Sequence, residues 1–189
     1  FVYTRFDYST GDAAGQNMTS RATFVACEWI REHYPALRNY LLSGNFDTEK
    51  RTSSVNLLKN RGKRVTAEIT IPREILEQHL RITPEAMHYG QTVTTLASFM
   101  TNSSNNAAHP ANGLAALYLA TGQDIANIGE SNQCTVWNRV TRTGDYEFSV
   151  TLPALIVASY GGGTNLPTQR ECLEILGCHG KDRADRKST

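Results

Sequence analysis

The chain has 189 residues, enough for one domain or a little more, and its 40% hydrophobic and 20% charged content supports a packed core, which excludes disorder as the default state. Its net charge of +1 supplies no global field for nucleic acid or an anionic membrane surface. No apolar run approaches the ~18 residues of a membrane span.

In chain order, "FVYTRFDY" (1–8) alternates aromatic and polar residues and predicts a half-buried strand. Met18, Ala22, Val25, Ala26, Trp29 and Ile30 recur at helical spacing, so a helix is expected from about 14 to 33, ending before Pro35. "YLLSGNF" (40–46) reads as a short strand breaking at Gly44, and "SVNLLKNRGKR" as a short helix closed by Gly62. Val65, Ala67, Ile69 and Ile71 alternate as a strand, and Pro72 opens a helix that puts Ile75, Leu76 and Leu80 on one face. Two more helices are expected, over 84–98 and through the alanine-rich stretch that stops at Gly122. A hairpin follows over 134–153, turning at Thr143-Gly144-Asp145. Residues 154–178 read as an apolar strand, a glycine loop and a helix. The class is mixed α and β.

Cys27, Cys134, Cys172 and Cys178 form no CxxC pair, and the last two fall six apart in an expected helix, so reduced thiols and a cytosolic setting are predicted. The basic cluster at 181–189 is interspersed with acids and reads as a solvated tail. Phe1 opens the chain without an initiator Met or a signal peptide, as a processed protein or an excerpt from a longer one would.

Four stretches could carry chemistry. Around Asp12, Gly11 and Gly15 let the backbone bend and approach a ligand at a helix start, where free N–H groups attract anions; a structural cap fits these residues equally well. In 43–56, Ser43, Asn45, Asp47, Glu49, Lys50 and Arg51 crowd after an expected strand, either as a solvated loop or with Lys50 holding an oxyanion. Asp124 follows a long apolar helix and a glycine, as a helix-end charge or as the partner of a distant lysine. Gly161, Gly162 and Gly163 give a backbone able to hug a ligand ahead of a Pro-led helix. His109 suits capping or packing, and His33, His79, His88 and His179 show no triad or metal spacing; no metal is expected.

Taken together and in order, "GDAAGQNM", "SGNFDTEKR", "ATGQD" and "GGGTNLPTQRECLEILG", with "NRGKRVTAEITIP" and "ESNQC" between them, resemble the catalytic domain of class I 3-hydroxy-3-methylglutaryl-CoA (HMG-CoA) reductase, the form typical of eukaryotes. The likeness runs over essentially the whole chain and covers the central part of that domain. It implies an α+β fold, with part of a small ferredoxin-like NADP-binding domain at 1–42 and part of a larger helix-rich substrate- and CoA-binding domain at 43–189. It implies an NADPH-dependent oxidoreductase of the mevalonate pathway, serving isoprenoid and sterol biosynthesis, that reduces HMG-CoA to mevalonate and free CoA.

By residue matching, Asp12, Gly15, Asn17 and Met18 become cofactor residues, and Gly161, Gly162 and Gly163 line the nicotinamide side. Lys50 falls on the catalytic lysine, which stabilises each oxyanion, and Asp124 on the catalytic aspartate, which holds Lys50 and tunes the protons around it. Ser43, Asn45, Glu49 and Arg51 grip the carboxylate and hydroxyl end of the substrate, with Asn112 nearby, and Arg81 faces CoA. The partners implied are HMG-CoA or a related CoA thioester and a second copy of the chain, or another chain that supplies missing groups; nucleic acid is not among them. The implied location is the cytoplasm, or the cytosolic face of the endoplasmic reticulum for a longer chain.

The pattern departs from the family in several places. A glutamate and a histidine that the family uses have no match here, nor does a substrate-holding arginine, and Ala14 and Gln16 stand where the family has methionines. Glu49 and Arg51 replace shorter or differently shaped residues, and 92–110 contains no glycine where the family is rich in glycine and alanine. Two alternatives to the reductase therefore stay open: a non-catalytic binding module, and an enzyme repurposed for another reaction.

Overall fold

The computed structural model describes residues 2–43, 46–59, 61–103, 105–107 and 109–183. Its chain crosses four times between two units, one made of Phe1–Glu49, Leu119–Asp124 and Val157–Thr189, the other of Lys50–Tyr118 and Ile125–Ile156.

In the second unit a three-stranded antiparallel sheet has the order β1-β3-β2, with β1 at Lys63–Ile71, β2 at Thr135–Val140 and β3 at Tyr146–Leu155. The expected hairpin joins β2 to β3: Thr141 N–H donates to the Asp145 carbonyl (2.9 Å), and the Thr141 hydroxyl accepts from Asp145 N–H (3.0 Å). Pro153 lies inside the central strand, which a residue without an N–H normally avoids. It fits because the ladder with β2 stops at Thr151 and the ladder with β1 shifts register between Val65↔Leu152 and Lys63↔Leu155. The free edge of β2 is tied down by one side chain. Asn106 Oδ1 accepts from Val136 N–H (2.7 Å) and its Nδ2 donates to the Val136 carbonyl (2.9 Å), as a neighbouring strand would.

Helices complete this unit: α2 (Ser54–Leu58), α3 (Arg73–Ile75, continuing as a π-helical turn through Leu76–Leu80), α4 (Pro84–Met100), most of α5 (Pro110–Thr121) and α6 (Ile128–Ser131). Thr83 caps α4, accepting from Ala86 N–H (3.2 Å), and Pro84 occupies the first turn. Of the face expected after Pro72, only Leu76 is buried; Ile75 and Leu80 are about half exposed, because the turn widens at Leu76. Leu76, Leu114, Tyr118, Cys134, Val136, Tyr146, Ala154 and Ile156 form the core. Burial pushes the Cys134 thiol up in pKa, and all four cysteines are free.

In the first unit, α1 (Gln16–His33) forms where the apolar spacing indicates. Gly15 precedes it with φ +73°, and a Cβ there would lie 2.3 Å from Thr10 Cγ2, so only glycine fits. At its far end the Trp29 and His33 rings stack at 3.9 Å, and His33 Nδ1 lies 2.8 Å from the Trp29 carbonyl. A turn at Gly162–Asn165 leads into α7 (Pro167–Ile175).

Three expectations need correction. Residues 2–8 and 40–43 are not strands, since no described neighbour offers a ladder; Val2 and Leu41 stay exposed, and Tyr3 stacks on Phe46 at 5.5 Å. The apolar strand at 154–159 ends at Leu155, because the next amides are taken by side chains: Ile156 N–H by Ser131 Oγ (3.1 Å) and Ala158 N–H by Gln123 Oε1 (2.7 Å). Cys178 lies beyond α7, whose end closes with Gly177 N–H on the Glu174 carbonyl (2.9 Å) and Cys178 N–H on the Leu173 carbonyl (2.8 Å).

Two measurements check this packing. A Cβ at Gly90, in the exposed middle of α4, meets nothing within 4 Å, so Gly90→Ala raises stability by about 0.5–1 kcal/mol in chemical denaturation. Tyr118 is fully buried and donates to the Ile156 carbonyl (2.8 Å); burial pushes its phenol up to about 12 from the ordinary 10.0. A raised folded-state value adds stability that is complete below the unfolded value and is lost as pH rises through the folded one. Stability therefore falls between about pH 10 and 12, and Tyr118→Phe flattens that fall while losing about 1 kcal/mol at neutral pH.

Candidate active site

The first unit brings the sequence motifs together through the backbone. A Cβ on Gly122 would lie 2.3 Å from the Gly163 carbonyl oxygen, and a Cβ on Gly163 would lie 2.4 Å from that of Gly122. Two chain segments therefore touch where neither carries a side chain. Next to this contact, Gln123 holds Ala158 by both backbone groups, accepting its N–H at 2.7 Å and donating to its carbonyl at 2.9 Å. One residue on, Ser159 N–H donates to the Asp12 carbonyl (3.1 Å). Asp12 Oδ2 accepts from Asp182 N–H (2.8 Å), and Ser159 exchanges main-chain and side-chain bonds with Gly180. Asp12 is thus a structural tie. The stretch read as a solvated tail contributes a backbone donor to it, while the side chains of Lys181 and Asp182 remain exposed.

The crowded loop joins the same unit up to Glu49. Asp47 organises it, accepting from Ser43 Oγ (2.7 Å) and from Glu49 N–H (3.1 Å). Gln16 Nε2 donates to Glu49 Oε1 (2.9 Å). Two positions that depart from the resembled pattern therefore meet each other. Asn45 lies outside the described residues. Asp124 is half-buried in this unit; Gly161 and Gly163 are half-buried, and Gly162 is exposed.

The other matched residues belong to the second unit. Lys50 and Arg51 are exposed there, Lys50 with φ +57°. Arg81 ends the π-helical turn with φ +55°, and Asn112 is exposed in the first turn of α5. Sequence reasoning missed Gln123, Ser159 and Glu130. Gln123 stood inside a quoted motif, but its role depends on a partner 35 residues away.

The start of α1 bears Gly15, Asn17 and Met18. Gly15 provides no side-chain cap for the first N–H groups of this 18-residue helix, and such groups attract anions. Beside them an open groove of about 660 Å³ is lined by Asn17, Met18, Arg21, Ala22 and Val25, which offer apolar surface and one cation. Among the described residues no cluster of His, Cys, Asp or Glu is arranged to hold a metal, and no helix is long and apolar enough to cross a membrane.

The family model described as hydroxymethylglutaryl-coenzyme A reductase matches residues 1–188. The chain belongs to the HMG-CoA reductase family. It is 44% identical over 184 residues to a 3-hydroxy-3-methylglutaryl-coenzyme A reductase of Methanothermobacter thermautotrophicus, covering 97% of this chain and 46% of that protein. Against the Pyrococcus abyssi protein of the same name it is 41% identical over 180 residues, 95% of this chain and 44% of the relative. Against 3-hydroxy-3-methylglutaryl-coenzyme A reductase 2 of Dictyostelium discoideum it is 42% identical over 182 residues, 95% of this chain and 35% of the relative. The chain spans less than half the length of these relatives. Members of the HMG-CoA reductase family are generally NAD(P)H-dependent oxidoreductases.

The glycine contact gives a direct check. Gly122→Ala forces a methyl group into the Gly163 carbonyl at a backbone with φ +69°; about 3 kcal/mol or more of stability is lost. Chemical denaturation alongside Gly90→Ala, which moves the opposite way, measures it.

Proposed function

We propose that the chain is the central part of an NADPH-dependent HMG-CoA reductase that takes HMG-CoA through an aldehyde-level stage to mevalonate and CoA. The reading is carried by one observation: the segments that resemble the family's motifs are linked by hydrogen bonds and a glycine contact within one unit, beside a helix start suited to phosphate. NADPH supplies the two hydrides.

The chain's own residues have the following proposed roles. Asp12, Gly15, Asn17 and Met18 hold the cofactor at the start of α1, and Asp12 also fixes the loop that carries them. Gly161, Gly162 and Gly163 form a flat wall for the nicotinamide. Lys50 stabilises the oxyanion formed at each reduction, and Asp124 governs protonation. Ser43, Asn45, Glu49, Arg51 and Asn112 bind the substrate's carboxylate and hydroxyl end, and Arg81 binds CoA. Residues 1–42 belong to a small ferredoxin-like cofactor domain and 43–189 to a larger substrate domain. The protein acts as a homo-oligomer, or with a partner chain that supplies the missing catalytic groups, in the cytoplasm or on the cytosolic face of the endoplasmic reticulum.

HMG-CoA-dependent oxidation of NADPH by the full protein is the test. Lys50→Ala lowers kcat by about 10²–10³-fold, the usual effect of removing an oxyanion stabiliser, with saturable NADPH binding retained. Saturable NADPH binding without HMG-CoA reduction favours the repurposed enzyme. No saturable NADPH binding favours a binding module.

A further inference from the structure

Lys50 is a non-glycine residue in a left-handed conformation, which L side chains rarely adopt, so something must hold it there. The holder is on α6. Glu130 is completely buried, and its Oε1 accepts the Lys50 backbone N–H at 3.1 Å. The same oxygen pairs with the Arg61 guanidinium, while Glu130 Oε2 is buried without a hydrogen-bond partner among the described residues. Next to it, a Cβ on Gly129 would lie 2.5 Å from the Lys50 carbonyl oxygen, so the α6 backbone presses directly on the Lys50 peptide. The following residues are fastened to the same region. Thr52 Oγ1 donates to the Gly129 carbonyl (2.7 Å), and Gln133 Nε2 donates to the Ser53 carbonyl (3.3 Å).

Burying a carboxylate opposes folding unless its charge and lone pairs are engaged, and one oxygen here is engaged only by Arg61 and by Lys50's own amide. A methionine pair could fill the same space without burying charge. What a carboxylate adds is a strong acceptor at a fixed point, aimed at the peptide N–H of the lysine.

We propose that Glu130 is a positioning residue for Lys50. It pins the strained backbone from which the ammonium group projects, and Arg61 keeps the buried carboxylate oriented. The inference rests on the reading of Lys50 as the oxyanion stabiliser.

Two double variants of the full protein test it, both with the Glu130–Arg61 pair uncharged. E130Q/R61M keeps an acceptor oxygen, and E130M/R61M has none. The readouts are the hydrogen-exchange rate of the Lys50 amide and the kcat and KM of HMG-CoA reduction. The expected result is that E130Q/R61M stays within about threefold of the parent in both exchange and kcat. In E130M/R61M the Lys50 amide exchanges about tenfold faster or more, and kcat falls by a similar factor while KM for NADPH is unchanged. Equal behaviour of the two variants overturns the proposal, as does a kcat loss that only follows the unfolded fraction. Lys50→Ala run in parallel separates the two levels. Full activity in that variant removes the reading of Lys50 and the proposal with it. An inactive Lys50→Ala beside an active E130M/R61M leaves the reading standing and removes the proposal alone.

Discussion

The backbone contact between Gly122 and Gly163 is the constraint on which the first unit depends. Two carbonyl groups approach where any side chain would intrude, and that approach sets the distance between the end of α5 and the glycine loop. Once it is fixed, Gln123 reaches Ala158, and Ser159 reaches Asp12. Each link follows from the one before it. The stretch at 10–18 is therefore held by residues far away in sequence, with no β-ladder of its own.

The same device recurs in the second unit. Asn106 satisfies the two backbone groups of Val136 as Gln123 satisfies those of Ala158. In both places a side-chain amide, with one donor and one acceptor in a plane, imitates a peptide and completes a strand-like segment without another strand. Glu130 extends the principle to a charged acceptor. There the backbone held is that of a residue with a proposed chemical role, and the neighbouring Ser131 binds Ile156 in the core. Short α6 thus couples a fully buried part of its unit to an exposed lysine.

Much of the local structure was legible in the sequence. The 3.6-residue spacing from Met18 to Ile30 marked α1, and Thr143-Gly144-Asp145 marked the hairpin turn. The four motifs marked the family. The strands expected at 1–8 and 40–46 did not form in the residues described, because an alternating pattern specifies a strand only when a neighbour completes its ladder. Other features had no sequence signal at all. Asp12 is tied to Asp182 across 170 positions, and the burial of Glu130 depends on Arg61 and Lys50 arriving from elsewhere in the chain. Such long-range closure is decided by tertiary contact, and neither periodicity nor motif spacing contains it.

The stack of Trp29 on His33 has a practical consequence. The chain has two tryptophans, Trp29 in the first unit and Trp137 in the second. The indole of Trp29 lies against an imidazole, whereas that of Trp137 lies 5.6 Å from the Arg139 guanidinium carbon. The two indoles therefore have different neighbours, an aromatic ring and a permanent cation, so a change in either unit alters the surroundings of its own emitter. Each unit thereby carries its own optical reporter, distinguishable without any label.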